Sequence, residues 1–177
     1  EIHAGQITTT DLTVLLPPAS NFEPSGGYSK IAAVERHHNT GKIGVAVAKG
    51  YGIKNGAVAS SVSHDSHNII VIGDNDVDMA IAVNEIIRTQ GGYTVVENGK
   101  VYETLALPIM GLMSDAGFEN VNEALQRMIQ KAHQMGVAAQ IDPFVTLSFL
   151  ALPVIPELRI TPRGICKMTA KGPIILS

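Results

Sequence analysis

The chain has 177 residues, of which 45% are hydrophobic and 16% are charged, and its formal net charge is −3. These values fit a single globular domain over residues 1–177, and they exclude an intrinsically disordered chain and a generally basic nucleic-acid-binding protein. The one cysteine excludes an internal disulfide and a cysteine-rich zinc site, and no apolar run approaches the roughly 20 residues of a membrane helix.

A charged fraction below the usual value of about 25% predicts that part of the surface is hidden against a partner. The chain does not begin with Met and shows no signal peptide. We therefore expect a cytoplasmic protein that is processed or is a piece of a longer polypeptide. We expect neither a nucleic acid nor a membrane among its partners.

Short apolar runs predict strands in the first half of the chain. Residues 43–48 alternate glycine with small apolar residues and predict a buried strand, and residues 69–72 are β-branched and end at a glycine. An apolar run at 12–16 predicts a further strand, followed by a loop from 17 to 29 that is rich in Pro, Gly, Ser and Asn. Residues 57–62 fit either a strand or a helical turn.

The clearest local signals predict a helix and a β-hairpin. The helix is expected from about 77 to 90, with Asp74 or Asn75 capping the free amides of its first turn. The strands of the hairpin are residues 93–97 and 100–104, which are joined by an Asn-Gly pair. That pair accepts the positive φ angles of a type I′ turn.

A second helix is predicted from about 121 to 135, with Asn120 as its cap and Gly136 at its end. Residues 143–156 are apolar but interrupted by prolines, which favours packed irregular segments over a helix. Because strand runs and helices do not alternate regularly, the expected fold class is α+β. We expect mixed or antiparallel sheets with a few packed helices and no (β/α)8 barrel.

Three polar clusters contain the residues that are candidates for chemistry. The first is residues 35–42, which includes Arg36, His37 and His38. Together with Lys42 and loop amides, these side chains are able to hold an anion. A polar turn between two strands is the alternative interpretation.

The second cluster, residues 60–68, contains His64, Asp65, Ser66 and His67 just before a predicted strand. Histidine and aspartate together are able to bind a metal or move a proton. The spacing matches no known metal-binding motif, however. A structural role, with each histidine hydrogen-bonded at the end of a loop, is the alternative.

The third cluster, residues 110–115, is a weaker candidate through Ser114 and Asp115, which also suit a turn before the second helix. Other mechanisms lack their motifs. The chain has no phosphate-binding Gly-x-x-x-x-Gly-Lys-Ser/Thr loop, no Gly-x-Ser-x-Gly elbow and no Pro-Cys-x-x-Cys zinc signature. Cys166 has no neighbouring histidine in the sequence, so it is expected to be an incidental thiol.

Five ordered stretches give the sequence a family resemblance, and they include Glu-Arg-His-His-Asn-Thr-Gly-Lys and Ser-His-Asp-Ser-His-Asn. They are residues 35–44, 56–73, 75–83, 107–115 and 142–157. Together they closely resemble the C-terminal domain of the bacterial adenine deaminases, which belong to the amidohydrolase superfamily. The resemblance extends over most of the chain from about residue 31 to residue 160.

The resemblance implies a hydrolase of purine metabolism that converts adenine and water to hypoxanthine and ammonia in adenine catabolism. In that family a metal-dependent (β/α)8 barrel, containing Mn or Fe, performs the reaction. The His-x-His pair of the barrel has no counterpart here, and 177 residues are fewer than the about 200 that a barrel needs. The implied partners are therefore the catalytic barrel of the same polypeptide and adenine, with no metal site in this chain and no activity of the chain alone.

Such a domain has three candidate roles. In the first, it covers the open end of the barrel, and the loops around 36–38 and 64–67 face the active site. In the second, it is a structural or homo-oligomerisation module without substrate contact, with residues 105–113 and 143–156 in subunit interfaces. In the third, it is an autonomous small hydrolase that binds a metal through the two histidines and the aspartate of the second cluster.

Overall fold

The structure is a computed structural model that describes residues 1–12, 22 and 26–176. It contains nine strands and three helices in the described residues. The strands are β1 (Tyr28–Val34), β2 (Ile43–Lys49), β3 (Gly56–Ser60), β4 (Ile69–Gly73), β5 (Gly92–Glu97), β6 (Lys100–Ala106), β7 (Leu158–Thr161), β8 (Gly164–Thr169) and β9 (Gly172–Ile175). The helices are α1 (Asp76–Arg88), α2 (Phe118–Gln134) and α3 (Pro143–Leu150).

Two antiparallel sheets organise these elements. The larger sheet has the strand order β2-β1-β4-β3-β5-β6, and the smaller sheet has the order β7-β8-β9. The predicted α+β class with antiparallel sheets and packed helices is confirmed. Among the described helices, none combines the length and the apolar character needed to cross a membrane.

A hydrophobic core lies on each face of the larger sheet. α1 packs on one face, while α2 and α3 pack on the other. Successive residues of a strand point to opposite faces, so Ile69 and Val71 of β4 enter the core under α1. Ile70 and Ile72 enter the core under α2 and α3. Burial on both faces explains why residues 69–72 of this strand are all β-branched.

The predicted first helix is confirmed as α1, and the structure decides between its two candidate caps. The Asn75 side chain accepts a hydrogen bond from the Asp78 amide at 2.8 Å, so Asn75 is the cap. Asp74 instead accepts a hydrogen bond from the Gly56 amide at 2.9 Å and joins the end of β4 to the start of β3.

The predicted hairpin is confirmed as β5 and β6. Glu97 pairs with Lys100 across the turn, and Asn98 and Gly99 have φ angles of 50° and 77°. These positive values are the ones that a type I′ turn requires. The ambiguous stretch 57–62 contains a strand, β3, which is buried along its whole length.

The prediction of a buried strand at 43–48 is confirmed for the strand and wrong for the burial. Ile43 and Val45 of β2 are exposed. β2 is the edge strand of the sheet, and α1 packs against β3 to β6 instead. The α1-side residues of β2 therefore have no helix above them. On the other face, Gly44 lies against the small sheet, where a Cβ would be 1.9 Å from the Thr161 carbonyl oxygen.

The second helix begins at Phe118 rather than near residue 121, and the predicted cap is wrong. The N-cap position is Gly117, whose residue type provides no capping side chain. Asn120 lies in the first turn, and its side-chain amide donates to the Ala116 carbonyl at 2.7 Å. Phe118 and Val121 have the apolar spacing of the later turns, so the feature that hides the start of the helix is the absence of a capping side chain at Gly117.

The prediction of irregular structure over 143–156 is wrong for its first half, where α3 forms. Pro143 occupies the first turn of the helix, where a missing N–H costs nothing. Asp142 accepts hydrogen bonds from the amides of Phe144 and Val145 at 2.9 and 2.8 Å. The proline therefore starts the helix instead of breaking it.

For two other regions, the predictions and the structure do not overlap. The small sheet β7–β9 was not predicted from the sequence. The predicted strand at 12–16 lies outside the described residues except for residue 12, as does most of the predicted loop at 17–29. The last two residues of that loop, 28 and 29, belong to β1.

Candidate functional site

The first two polar clusters lie side by side at one end of the larger sheet. Val34, the last residue of β1, pairs with Ile69, the first residue of β4. In an antiparallel pair the end of one strand adjoins the start of the other. Residues 35–42, which follow β1, therefore lie beside residues 61–68, which connect β3 to β4.

Arg36 joins all three predicted clusters. Its Nε donates to the His67 carbonyl at 2.6 Å, and one of its terminal nitrogens donates to the Met110 carbonyl at 2.8 Å. Its backbone amide donates to the Asn68 side chain at 3.2 Å. Partial burial lowers the pKa of Arg36. The guanidinium therefore fixes the second and third segments to the first.

Glu35 and His37 order the loop after β1. The Glu35 carboxylate accepts hydrogen bonds from the amides of His37, His38 and Thr40 and from the Thr40 hydroxyl. These donors lower the pKa of Glu35 to about 2. A ring nitrogen of His37 lies 2.6 Å from the Ser66 carbonyl oxygen, which adds a second link between the loops.

His67 is held in one orientation and, when neutral, in one tautomer. Its Nδ1 accepts a hydrogen bond from the Ser63 amide at 3.2 Å, so in the neutral ring the proton is on Nε2. Partial burial, followed by the nearby His64 and Arg36, lowers the pKa of His67. The ring is half-buried, and Nε2–H has no partner among the described residues.

His64 lies beside His67 and packs against a helix. Its ring centroid is 5.7 Å from that of His67 and 5.3 Å from that of Phe149 in α3. Its Nδ1 is 3.9 Å from the carboxylate of Asp65, which is too long for a hydrogen bond, and Asp65 is exposed. We call Arg36, His37, His64, Asp65 and His67 the polar cluster.

The other predicted site residues have local roles or face solvent. Ser66 accepts a hydrogen bond from the Asn68 side chain at 3.0 Å, and His38 is exposed. Ser114 accepts from the Ala116 amide at 3.2 Å within its own turn, and Asp115 is exposed. No hydrogen bond in the described part of the chain joins Ser114 or Asp115 to the polar cluster.

Sequence reasoning missed the residues that fix the third segment. The Ser61 hydroxyl donates to the Gly111 carbonyl at 2.6 Å and accepts from the Gly92 amide at 2.8 Å. Gly111 has a φ of 74°, and a Cβ there would lie 2.4 Å from a terminal nitrogen of Arg36. Only glycine allows this approach. Gly111 itself was the available signal in the sequence, but its contact partners, Arg36 and Ser61, are distant in sequence.

The polar cluster is suited to hydrogen bonding rather than to metal binding. Among residues 1–12, 22 and 26–176, no group of three or more His, Cys, Asp or Glu side chains is arranged to hold a metal ion. The ligand set of an autonomous metal hydrolase is thus not assembled in this part of the chain. In the described residues, the groups that retain hydrogen-bonding capacity include the imidazole N–H of His67 and the half-exposed ring of His64.

Comparisons with known proteins identify relatives over nearly the whole chain. Residues 6–171 match the family described as the adenine deaminase C-terminal domain. A protein named adenine deaminase from Desulfitobacterium hafniense (strain Y51) is 51% identical over 166 residues, which are 93% of this chain and 29% of the relative.

Two further relatives with the same name give a similar picture. The protein from Clostridium acetobutylicum is 54% identical over 140 residues, which are 78% of this chain and 25% of the relative. The one from Bacillus subtilis (strain 168) is 44% identical over 167 residues, which are 93% of this chain and 29% of the relative. The chain thus spans less than a third of the length of these proteins.

Proposed function

The chain belongs to the family of adenine deaminase C-terminal domains, and from this premise we propose that it is part of an enzyme that converts adenine and water to hypoxanthine and ammonia. The reaction takes place in a catalytic domain of the same polypeptide. The domain described above packs over that active site, with the polar cluster directed toward the bound purine.

The observation that supports this proposal best is the convergence of three separate segments on the polar cluster. Arg36 bonds the segment after β1 to the connection of β3 and β4 and to the loop after β6. Loops held by a rigid scaffold are where binding groups are commonly placed. The result is a fixed, half-exposed surface that retains unused hydrogen-bond donors.

The proposed division of labour follows from the chemistry of each part. A divalent metal ion in the catalytic domain, for which we propose manganese or iron, supplies a hydroxide near neutral pH. The residues of this chain orient the purine. Neutral His67 donates its Nε2–H to a ring nitrogen of the purine, and the apposed domain excludes water from the site.

A second role is favoured by one specific observation. Ile109, Met110 and Met113, within the predicted interface segment 105–113, are exposed, as are Val145 and Val154 in the segment 143–156. A purely structural or oligomerisation module would use these surfaces without touching substrate. The two roles differ in what happens when the histidines are removed.

The test is to replace His64 and His67 separately by alanine in the full-length enzyme and to measure adenine deamination as ammonia release. We expect turnover to fall by about tenfold or more, since a lost hydrogen bond to the substrate is expressed in the reaction rate. His133→Ala is the matched control, because its ring contacts the Val137 carbonyl just after α2, where the Lys54 amide joins the end of that helix to the start of β3, away from the polar cluster. Wild-type kinetics in both test variants would refute the proposed role.

A further inference from the structure

An exposed apolar loop lies beside the polar cluster. Residues 109–113 between β6 and α2, here called the anchor loop, include three exposed side chains. Ile109, Met110 and Met113 are 44%, 76% and 54% exposed, respectively. Grouped apolar side chains on a surface are typical of an interaction site, and methionine adapts well to a partner surface.

The anchor loop is fixed before any partner arrives. Ile109 and Met113 exchange two backbone hydrogen bonds at 3.1 and 3.2 Å. The carbonyl of Met110 accepts from Arg36, and that of Gly111 accepts from Ser61. Met110 also has a φ of 59°, which is uncommon for a residue other than glycine.

These contacts hold the backbone that carries the Met110 side chain in a defined position. A loop that is already ordered loses little conformational entropy when it binds, so more of its contact energy contributes to affinity. Since Arg36 holds both the anchor loop and His67, a partner seated on the loop is positioned relative to the histidines as well.

We propose that the anchor loop is the apolar contact through which this domain docks on the catalytic domain of the same polypeptide. This inference rests on the proposed function. The matched relatives extend over at least three times the length of this chain's match, so a large further part of the polypeptide is available as the occupant.

The position of the N-terminal segment explains why such a contact is needed. The Ile2 amide donates to the Lys49 carbonyl, and Lys49 pairs with Tyr28 at one end of the β1–β2 pair. The other end of that pair, at Val34, leads to Arg36. The seven residues of β1 separate these ends by about 20 Å. Residues 6–171 match a family described as a C-terminal domain, so a catalytic domain that precedes it is joined near the first end, and the anchor loop supplies an attachment at the second.

The test is oxidative footprinting of the full-length protein with dilute peroxide, followed by mass spectrometry of the methionine peptides. Val77→Met provides a matched reference, because Val77 is 67% exposed in the first turn of α1, which follows the end of β4 opposite the polar cluster. We expect Met110 and Met113 to oxidise about tenfold more slowly than the thioether introduced by Val77→Met, since a docked sulfur is shielded from the oxidant.

Three outcomes are informative. Protection of Met110 and Met113 that persists when the protein is diluted to a monomer supports docking within one polypeptide. Oxidation of Met110 at the rate of the reference overturns the inference. Protection that disappears on dilution also overturns it and assigns the surface to a second copy of the chain. Because the histidine variants are judged by turnover alone, the two proposals fail independently.

Discussion

The β3–β4 pair has a closed polar network at one end and an open polar cluster at the other. At the closed end, the buried carboxylate of Asp74 accepts hydrogen bonds from the Gly56 amide and the Asn75 side chain, both at 2.9 Å. The buried carboxylate of Asp78 accepts from Asn75 at 2.8 Å and from the Gly99 amide at 2.7 Å. Each carboxylate is thus used to join backbone segments.

At the open end, polar side chains are half-exposed and retain unused donors. Within the described residues, His67 is bonded through Nδ1 but not through Nε2, and Asp65 is exposed. From this difference we expect a cluster of polar residues to offer a binding surface only when hydrogen-bonding capacity remains after the fold has formed. Residue type alone does not separate the two ends, since both combine aspartate with nitrogen-bearing side chains.

The largest expected effect is the loss of stability when a buried carboxylate of the closed end is removed. Asp74→Ala should lower the free energy of unfolding by about 2–4 kcal/mol, because the backbone amides of Asn55 and Gly56 lose their acceptor. Urea denaturation of the chain, followed by circular dichroism, measures it. Asp65→Ala at the open end is the control and should change stability by less than about 0.5 kcal/mol. Equal losses in the two variants would contradict the distinction between the ends.

Local signals were sufficient for part of the fold. Asn98-Gly99 determines the turn of a hairpin within four residues, and Asn75 caps α1 through a neighbour three positions away. Other features depend on the assembled structure. Pro143 starts a helix because Asp142 caps it, and Ile43 is exposed because β2 is an edge strand.

The candidate site also has features that local signals predict and features that depend on the assembled structure. Arg36 and His67 were selected by residue type, and their proximity results from the pairing of β1 with β4, which joins segments about 30 residues apart. The contribution of Met110 and Gly111 was missed because it comes through backbone carbonyls. Carbonyl acceptors are present in every residue, so the sequence does not mark which of them a distant side chain uses.

The second-largest effect is a loss of stability at the open end when Arg36 is replaced. Arg36→Met should lower the free energy of unfolding by about 1–3 kcal/mol, since it removes charge-assisted hydrogen bonds to His67 and Met110. Arg36→Lys keeps the charge but loses the fork that reaches both carbonyls, and it should recover less than half of the loss. Thermal unfolding of the variants is the measurement, and full recovery by lysine would show that charge alone matters.

The smallest effect concerns pH and His67. Because its pKa is lowered in the folded chain, the unfolded chain binds more protons there as the pH falls below about 6.5. Stability should therefore decrease as the pH falls from that value through the folded pKa of His67. His67→Asn keeps an acceptor for the Ser63 amide and tolerates the φ of 49°, yet it does not titrate.

The measurement is the urea midpoint of the wild-type chain and of His67→Asn between pH 7.5 and pH 5. The wild type should lose more stability than the variant over this interval, and identical slopes would contradict a desolvated, neutral His67. Glu35 does not interfere, since its stabilisation is lost only below about pH 4.5, as the pH falls toward its folded pKa of about 2. In Arg36→Met, the removal of a nearby positive charge should raise the pKa of His67 and reduce the slope. The pH dependence therefore reports the proximity of Arg36 to His67 through the effect of its charge on the pKa of His67. The stability of Arg36→Met reports the same proximity through the lost hydrogen bond.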